Sequence, residues 1–251
     1  MTRTSSGQAK IGPGIFISFE GIDGAGKSSH IEPLAQAFEQ LGHEVLRTRE
    51  PGGTPLAEQL RQMVLSDPMD PLTEALLVFA ARRDHLKTVI APALAAGKVV
   101  ISDRFTDSTF AYQGGGRGFD LRKLHVLEQF VQDSDMLVQA GRAALEGQLL
   151  RPDLTLLFYL DPAIASGRLA GARTPDKFER ESMDFFQSVS QGYMAQYRAD
   201  SERFALVQAS KPREEVWVDV QRIVEARGLL VAPSNHSDPA GVQAQATAVT
   251  L

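Results

Sequence analysis

A parallel five-stranded α/β sheet flanked by helices is the fold class this sequence predicts, and three observations predict it. Short apolar runs alternate with segments of helical periodicity through the middle of the chain. The first of those runs passes directly into a glycine-rich turn, FEGIDGAGKSSH, from Phe19 to His30. At 251 residues and 43% hydrophobic, the chain can bury one sizeable core.

The elements follow in order. IFISF (15–19) reads as a buried strand. Ile31, Leu34, Ala35, Phe38 and Leu41 then recur at helical spacing until Gly42 ends the helix. EVLRT (44–48) reads as the second strand, and helical patterns cover about 54–65 and 72–96. KVVIS (98–102) is the third strand. LTLLFYL (154–160), introduced by Arg151-Pro152-Asp153, is the fourth, and FALVQA (204–209) the fifth, before a closing helix over 213–227. Short apolar strands separated by helices imply a parallel sheet covered on both faces. Ligands of such sheets lie outside the C-terminal strand ends. No linker or repeat interrupts this pattern, so one domain is expected over 14–228. Residues 1–13 and 229–251 lack periodicity and are expected to be disordered extensions.

Composition excludes several classes. The formal net charge of -5 gives no general attraction to nucleic acid or to an anionic membrane. Basic residues that meet phosphates must therefore do so locally, in a cleft. With no cysteine, neither a disulfide framework nor a Cys-based metal site is possible. No apolar run approaches the roughly 20 residues of a membrane span, and MTRTSSGQAKIGPG has no apolar signal core. A soluble, cytoplasmic protein is expected.

The glycine-rich turn contains G-x-x-x-x-G-K-S: Gly21, Gly26, Lys27 and Ser28. Its glycines let successive N–H groups, over Ile22, Asp23, Gly24, Ala25 and Ser29 as well, point into one concavity at a helix start whose dipole favours anions. Lys27 is placed for the β- and γ-phosphates of ATP and the Ser28 hydroxyl for Mg²⁺. A plain glycine turn with an incidental lysine is the alternative. After the third strand stands Asp103-Arg104, a carboxylate followed by a cation. Asp103 suits Mg²⁺ through water and Arg104 a second phosphate group, unless the two are an ordinary surface pair. A GTP switch needs an N-K-x-D guanine reader, and the single asparagine is Asn235, in the tail.

Together with the phosphate loop, TREPGGT (48–54), SDRFTDSTFAYQGGGRG (102–118) and RPDLTLLFYLD (151–161) resemble the bacterial thymidylate kinases, in the same order, from about residue 14 to 228. The resemblance implies a nucleotide-kinase fold with a lid, and transfer of the γ-phosphoryl of ATP to dTMP. It implies that Asp23 accepts a hydrogen bond from the 3′-OH of dTMP. Glu50 would lie near Mg²⁺ and the acceptor phosphate, with Pro51 beside the sugar. Arg104 would grip the acceptor phosphate and Arg82 both phosphate and base. Phe79 would stack on thymine, although counting back from Pro92 selects Val78, and counting forward from Phe79 selects Arg83. Ser108, Thr109, Tyr112 and Gln113 would line base and sugar. GRLAGARTPDKFERESMDFF (167–186) resembles the mobile lid, with Arg168, Arg173 and Lys177 as its cations, a role that usually falls to Asp-Arg where this chain has Asp176-Lys177. Homodimers are usual in the family, and helix faces around 54–65 and 121–130 are the candidate surfaces. Another nucleoside monophosphate as acceptor, or a slow P-loop switch, are the competing readings. The segment 131–150 is longer than the resemblance accounts for.

Overall fold

The computed structural model describes residues 14–169 and 177–233. Expectations for residues 1–13, for Arg173 and the rest of 170–176, and for 234–251 lie outside the described residues. Five parallel strands form one sheet in the order β2-β3-β1-β4-β5: β1 (Ile15–Glu20), β2 (Val45–Arg49), β3 (Val99–Asp103), β4 (Leu154–Tyr159) and β5 (Phe204–Gln208). The chain runs from β1 to one side through β2 and β3, then crosses to β4 and β5 on the other. That reversal opens a crevice at the C-terminal ends of β1 and β3.

The strands are apolar throughout because both faces are covered. Phe16 and Val100 point into one core with Phe79, Leu86 and Leu94, whereas Ile17, Phe19, Val99 and Ile101 point into the other with Leu34, Phe38 and Val220. Helices α1 (Ser28–Gln40), α9 (Met183–Ala199) and α10 (Arg213–Ala226) contribute to the second core. The first is covered by α3 (Pro71–His85), by α4 (Ala91–Ala95), and by α6 (Leu121–Val131) and α7 (Ser134–Gln139). The remaining helices are α2 (Pro55–Ser66), α5 (Thr106–Thr109) and α8 (Pro162–Leu169). The expected helix 72–96 is realised as α3 and α4 joined by a wider π-helical turn at Leu86–Ile90, and a second such turn, Phe110–Gly116, follows α5.

One expectation changes. The packed chain extends past 228, since Leu229 and Leu230 lie against the core and the His43 ring meets the Val231 carbonyl at 2.7 Å. The segment 131–150 is structural: Met136, Leu137, Ala140 and Leu150 close the end of the first core. From its middle Arg142 reaches Asp153 (2.6 Å) and the Gly14 carbonyl (2.9 Å), which ties the starts of β1 and β4 together. Among the described residues, no helix is long and apolar enough to cross a membrane.

Candidate active site

The turn after β1 is built by conformations that need glycine. Gly21 has φ +134°, and a Cβ there would stand 2.4 Å from the Phe158 carbonyl; Gly26 has φ +84°. Lys27 is buried at the head of α1 and donates to the Gly21 and Ile22 carbonyls at 3.0 and 3.1 Å. Burial, then the neighbouring Arg104 cation, lowers its pKa to about 8, against the pull of Asp23. A phosphate in the loop would add an anion beside this ammonium. Ser28 Oγ donates to Asp103 Oδ2 at 3.2 Å, so the hydroxyl and carboxylate expected to share a cation stand side by side.

Arg104 adopts φ +69°, a left-handed conformation rare outside glycine and characteristic of residues held by a functional site. Its amide donates to the Phe19 carbonyl and its carbonyl accepts from Ser102 Oγ, which fixes the strained residue between β1 and β3. The side chain is thereby turned into the crevice. There it donates to Asp23 Oδ1 (2.6 Å), the Gly21 carbonyl (2.9 Å) and the hydroxyls of Tyr193 and Tyr112 (2.9 and 3.2 Å). Tyr112 donates in turn to Asp23 Oδ2 at 2.8 Å. Burial alone would raise the Asp23 pKa; Arg104 and then Lys27 hold it well below the carboxylate range, so Asp23 is an anion in the middle of an anion-binding site.

Behind this layer, Glu20 is fully buried and accepts from the Phe105 amide (2.7 Å), Ser108 Oγ (2.5 Å) and Tyr193 (3.1 Å). Burial, then Asp107, raises its pKa to about 7. Sequence reasoning missed Glu20 and Tyr193, because their partners come from elements far apart in the chain.

Arg82, not Arg83, enters the site. Its Nε donates to Glu50 Oε2 at 2.7 Å and Nη2 to Thr109 at 2.9 Å, while the buried Nη1 has no partner. Arg83 turns to the Val131 carbonyl instead. Glu50 also accepts from His85 Nδ1 at 3.0 Å, and His85 Nε2 meets Thr48 at 2.6 Å. With one oxygen on Arg82 and the other on His85, Glu50 positions an arginine, while it also lines the pocket that holds Ser28 and Asp103. Phe79 stands outside the pocket. It is buried in the first core with the Arg82 guanidinium 4.9 Å from its ring centroid, and Val78 presents the apolar side chain to the pocket.

One pocket gathers every other residue expected to contact dTMP: Asp23, Glu50, Pro51, Arg82, Arg104, Ser108, Thr109, Tyr112 and Gln113. Val64, Leu65, Val78 and Phe178 supply its apolar wall, the Phe178 ring standing edge-on to Tyr112 at 5.6 Å. A second pocket is lined by Gly24, Gly26, Lys27, Ser28, Ser29 and Asp103. Asp23, Glu50, Arg104 and Arg61 line both pockets, so the two open onto one junction. Arg61, which donates to the Pro51 carbonyl at 2.9 Å, had no motif to announce it.

Of the expected lid cations, Arg168 lies beside the phosphate loop, its Nη1 4.0 Å from where a Gly26 Cβ would be, and donates to the Ala209 carbonyl. Lys177 stands apart from the phosphate loop in this structure. Its ammonium is drawn to the buried carboxylate of Glu74 (2.8 Å) and to the Asp67 carbonyl (3.2 Å).

A phosphate-binding loop that shares a junction with a second, arginine-bearing pocket defines a P-loop nucleotide kinase. Comparison with known proteins agrees. Residues 19–220 match the thymidylate kinase family. The thymidylate kinase of Albidiferax ferrireducens is 60% identical over 218 residues, covering 86% of this chain and 98% of that protein. That of a Polaromonas species is 56% identical over 222 residues, covering 86% and 99%. The crystal structure of thymidylate kinase from Ehrlichia chaffeensis superposes with a TM-score of 0.65 at 30% identity, covering 84% of this chain and 99% of that one. The chain belongs to the thymidylate kinase family.

Proposed function

We propose that the chain transfers the γ-phosphoryl group of ATP to dTMP, giving ADP and dTDP for dTTP synthesis, with ATP on the phosphate loop and dTMP in the adjoining pocket. The observation that carries this reading is the junction where Asp23, Glu50, Arg61 and Arg104 line both pockets at once. An oxygen of the dTMP phosphate is already anionic and attacks the γ-phosphorus directly. The new P–O bond forms as the bond to the β-phosphate oxygen breaks, and ADP leaves without any covalent protein intermediate. The task left to the protein is to hold two mutually repelling anions in line and spread their charge. Lys27 serves the donor; Arg104 and the unpaired Nη1 of Arg82 serve the acceptor.

Asp23 takes the 3′-OH of dTMP, exchanging part of its contact with Arg104 for the sugar and freeing that arginine for phosphate. Tyr112 walls the sugar where a 2′-OH would crowd it. Thr109 and Gln113 face the hydrogen-bonding edge of the base. Ser28 and Asp103 offer the hard oxygen donors that suit Mg²⁺, which keeps most of its shell for water and phosphate and so needs few protein ligands. When bound, that ion neutralises charge on the β- and γ-phosphates. Among the lid cations, Arg168 and Arg173 stand as the candidates for the transferring group. A cytoplasmic location follows from the substrates.

We also read the chain as a homodimer. Leu56 and Met63 on α2, Leu72 and Leu76 on α3, and Val126 and Phe130 on α6 are exposed, and α3 packs against both of the other helices. The reaction is tested by coupled ADP release from ATP·Mg²⁺ with dTMP, dUMP, dCMP, dGMP and AMP. Strong release with dTMP, weaker release with dUMP and background with the others is expected. Equal background with all five would sink the kinase reading.

A further inference from the structure

Glu74 lies on α3 beneath the acceptor pocket, almost fully buried, and lines neither pocket. Its Oε1 accepts from Gln113 Nε2 at 2.9 Å, and its Oε2 holds the Lys177 ammonium at 2.8 Å. Arg117 Nε stands 3.5 Å from Oε1. A buried carboxylate with two cations is expensive to keep unless each contact is satisfied. No step of phosphoryl transfer uses it.

We infer that Glu74 is a positioning residue for base selection, fixing which end of the Gln113 amide faces the base. The inference rests on reading Gln113 as a base contact. An amide can present either a donor or an acceptor, and nothing in the side chain itself prefers one end. A carboxylate flanked by Lys177 and Arg117 only accepts. It therefore captures the NH₂ end of Gln113 and leaves the carbonyl oxygen as the atom turned away from it. An acceptor in that position matches the N3–H of thymine or uracil. It opposes the N3 of cytosine, which is itself an acceptor, so the wrong base would bury two facing lone pairs. Glu74 thus sets the hydrogen-bond polarity of the pocket without touching the substrate.

The test measures the KM for dTMP and the inhibition constant of dCMP as a competitor, in the wild type, Glu74→Gln and Gln113→Ala. A glutamine at position 74 can donate as well as accept, so Gln113 is free to turn either end to the pocket. The expected result for Glu74→Gln is a higher KM for dTMP together with tighter inhibition by dCMP, the ratio of the dCMP inhibition constant to the dTMP KM falling about tenfold. Opposite movements cannot come from a loosened fold, which weakens both nucleotides. Parallel weakening, or no change in the ratio, overturns the inference. If Gln113→Ala lowers the ratio while Glu74→Gln leaves it alone, Gln113 reads the base and Glu74 does not orient it. If Gln113→Ala leaves the ratio unchanged, the base-contact reading itself fails. Should Glu74→Gln not fold, the pair Glu74→Gln/Lys177→Met, which also removes the stranded ammonium, carries the same measurement.

Discussion

Glu20 occupies the last position of β1, where the chain must leave the sheet to become the phosphate loop. Its carboxylate receives the Phe105 amide and Ser108 Oγ, and so holds the residues that follow Arg104 against the end of the strand. The cost of that position depends on pH. Glu20 has its pKa raised from 4.5 to about 7 by burial and then by Asp107. The folded state therefore binds a proton more tightly than the unfolded chain does. Its stabilising share is complete below pH 4.5 and is lost as pH rises through about 7, a change on the order of 3 kcal/mol. Glu20→Gln keeps an acceptor for the Phe105 amide but cannot ionise. Relative to wild type, the variant is expected to be more stable at pH 8.5 than at pH 5, by urea denaturation at both. An equal difference at the two pH values would show that Glu20 keeps an ordinary pKa in the fold.

Helix α2 delivers Arg61 to the junction between the pockets, and its start is set by a short local signal. Thr54 Oγ1 accepts from the Ala57 amide at 2.9 Å as the N-cap, Pro55 occupies the first turn, and the same hydroxyl donates to Asp84 at 2.5 Å. Thr54→Ala removes the cap and the bond to α3 together, and is expected to cost about 1–2 kcal/mol in denaturation by urea. A wild-type midpoint would mean that α2 is held by its packing alone. Such local signals are why the strands, the phosphate loop and Asp103-Arg104 could be read from the sequence: each depends on neighbours within a few positions. The base side of the site could not be read in the same way. Leu76, Leu77, Val78 and Phe79 are four apolar residues in succession on α3, so sequence alone does not say which of them meets the ligand. The answer comes from packing, which buries Phe79 with Phe105 and Leu86 and leaves Val78 on the pocket. The partner of Lys177 is hidden from the sequence for a similar reason, since the carboxylate that binds it lies on α3, far away in the chain.

At the level of the whole molecule, the sheet order places the β1 and β3 termini side by side, and the register pairs Phe19 with Asp103 and Asp103 with Arg49. The phosphate loop, Asp103 and Arg104 therefore emerge side by side at the C-terminal ends of the strands. The helices that wall the acceptor pocket, α2 and α3, turn their other faces outward. Those outer faces are apolar where an isolated domain would be polar: Phe130 on α6 is 73% exposed, and Leu56, Met63, Leu72, Leu76 and Val126 lie on the same three helices. A second copy presenting the same surface would cover them by a two-fold contact, as most soluble homo-oligomers do. In the dimer we propose, α2 and α3 are then braced from behind, so association would steady the walls of the pocket rather than the phosphate loop. Phe130→Asp places a charge at the most exposed large apolar side chain among the described residues, without touching either pocket. The variant is expected to run as a monomer by light scattering coupled to size exclusion, while wild type runs at twice the chain mass. Its KM for dTMP should rise more than its KM for ATP, because only the acceptor pocket loses its brace. A wild-type chain that is already monomeric at micromolar concentration would remove the dimer, and equal changes in both constants would remove the bracing.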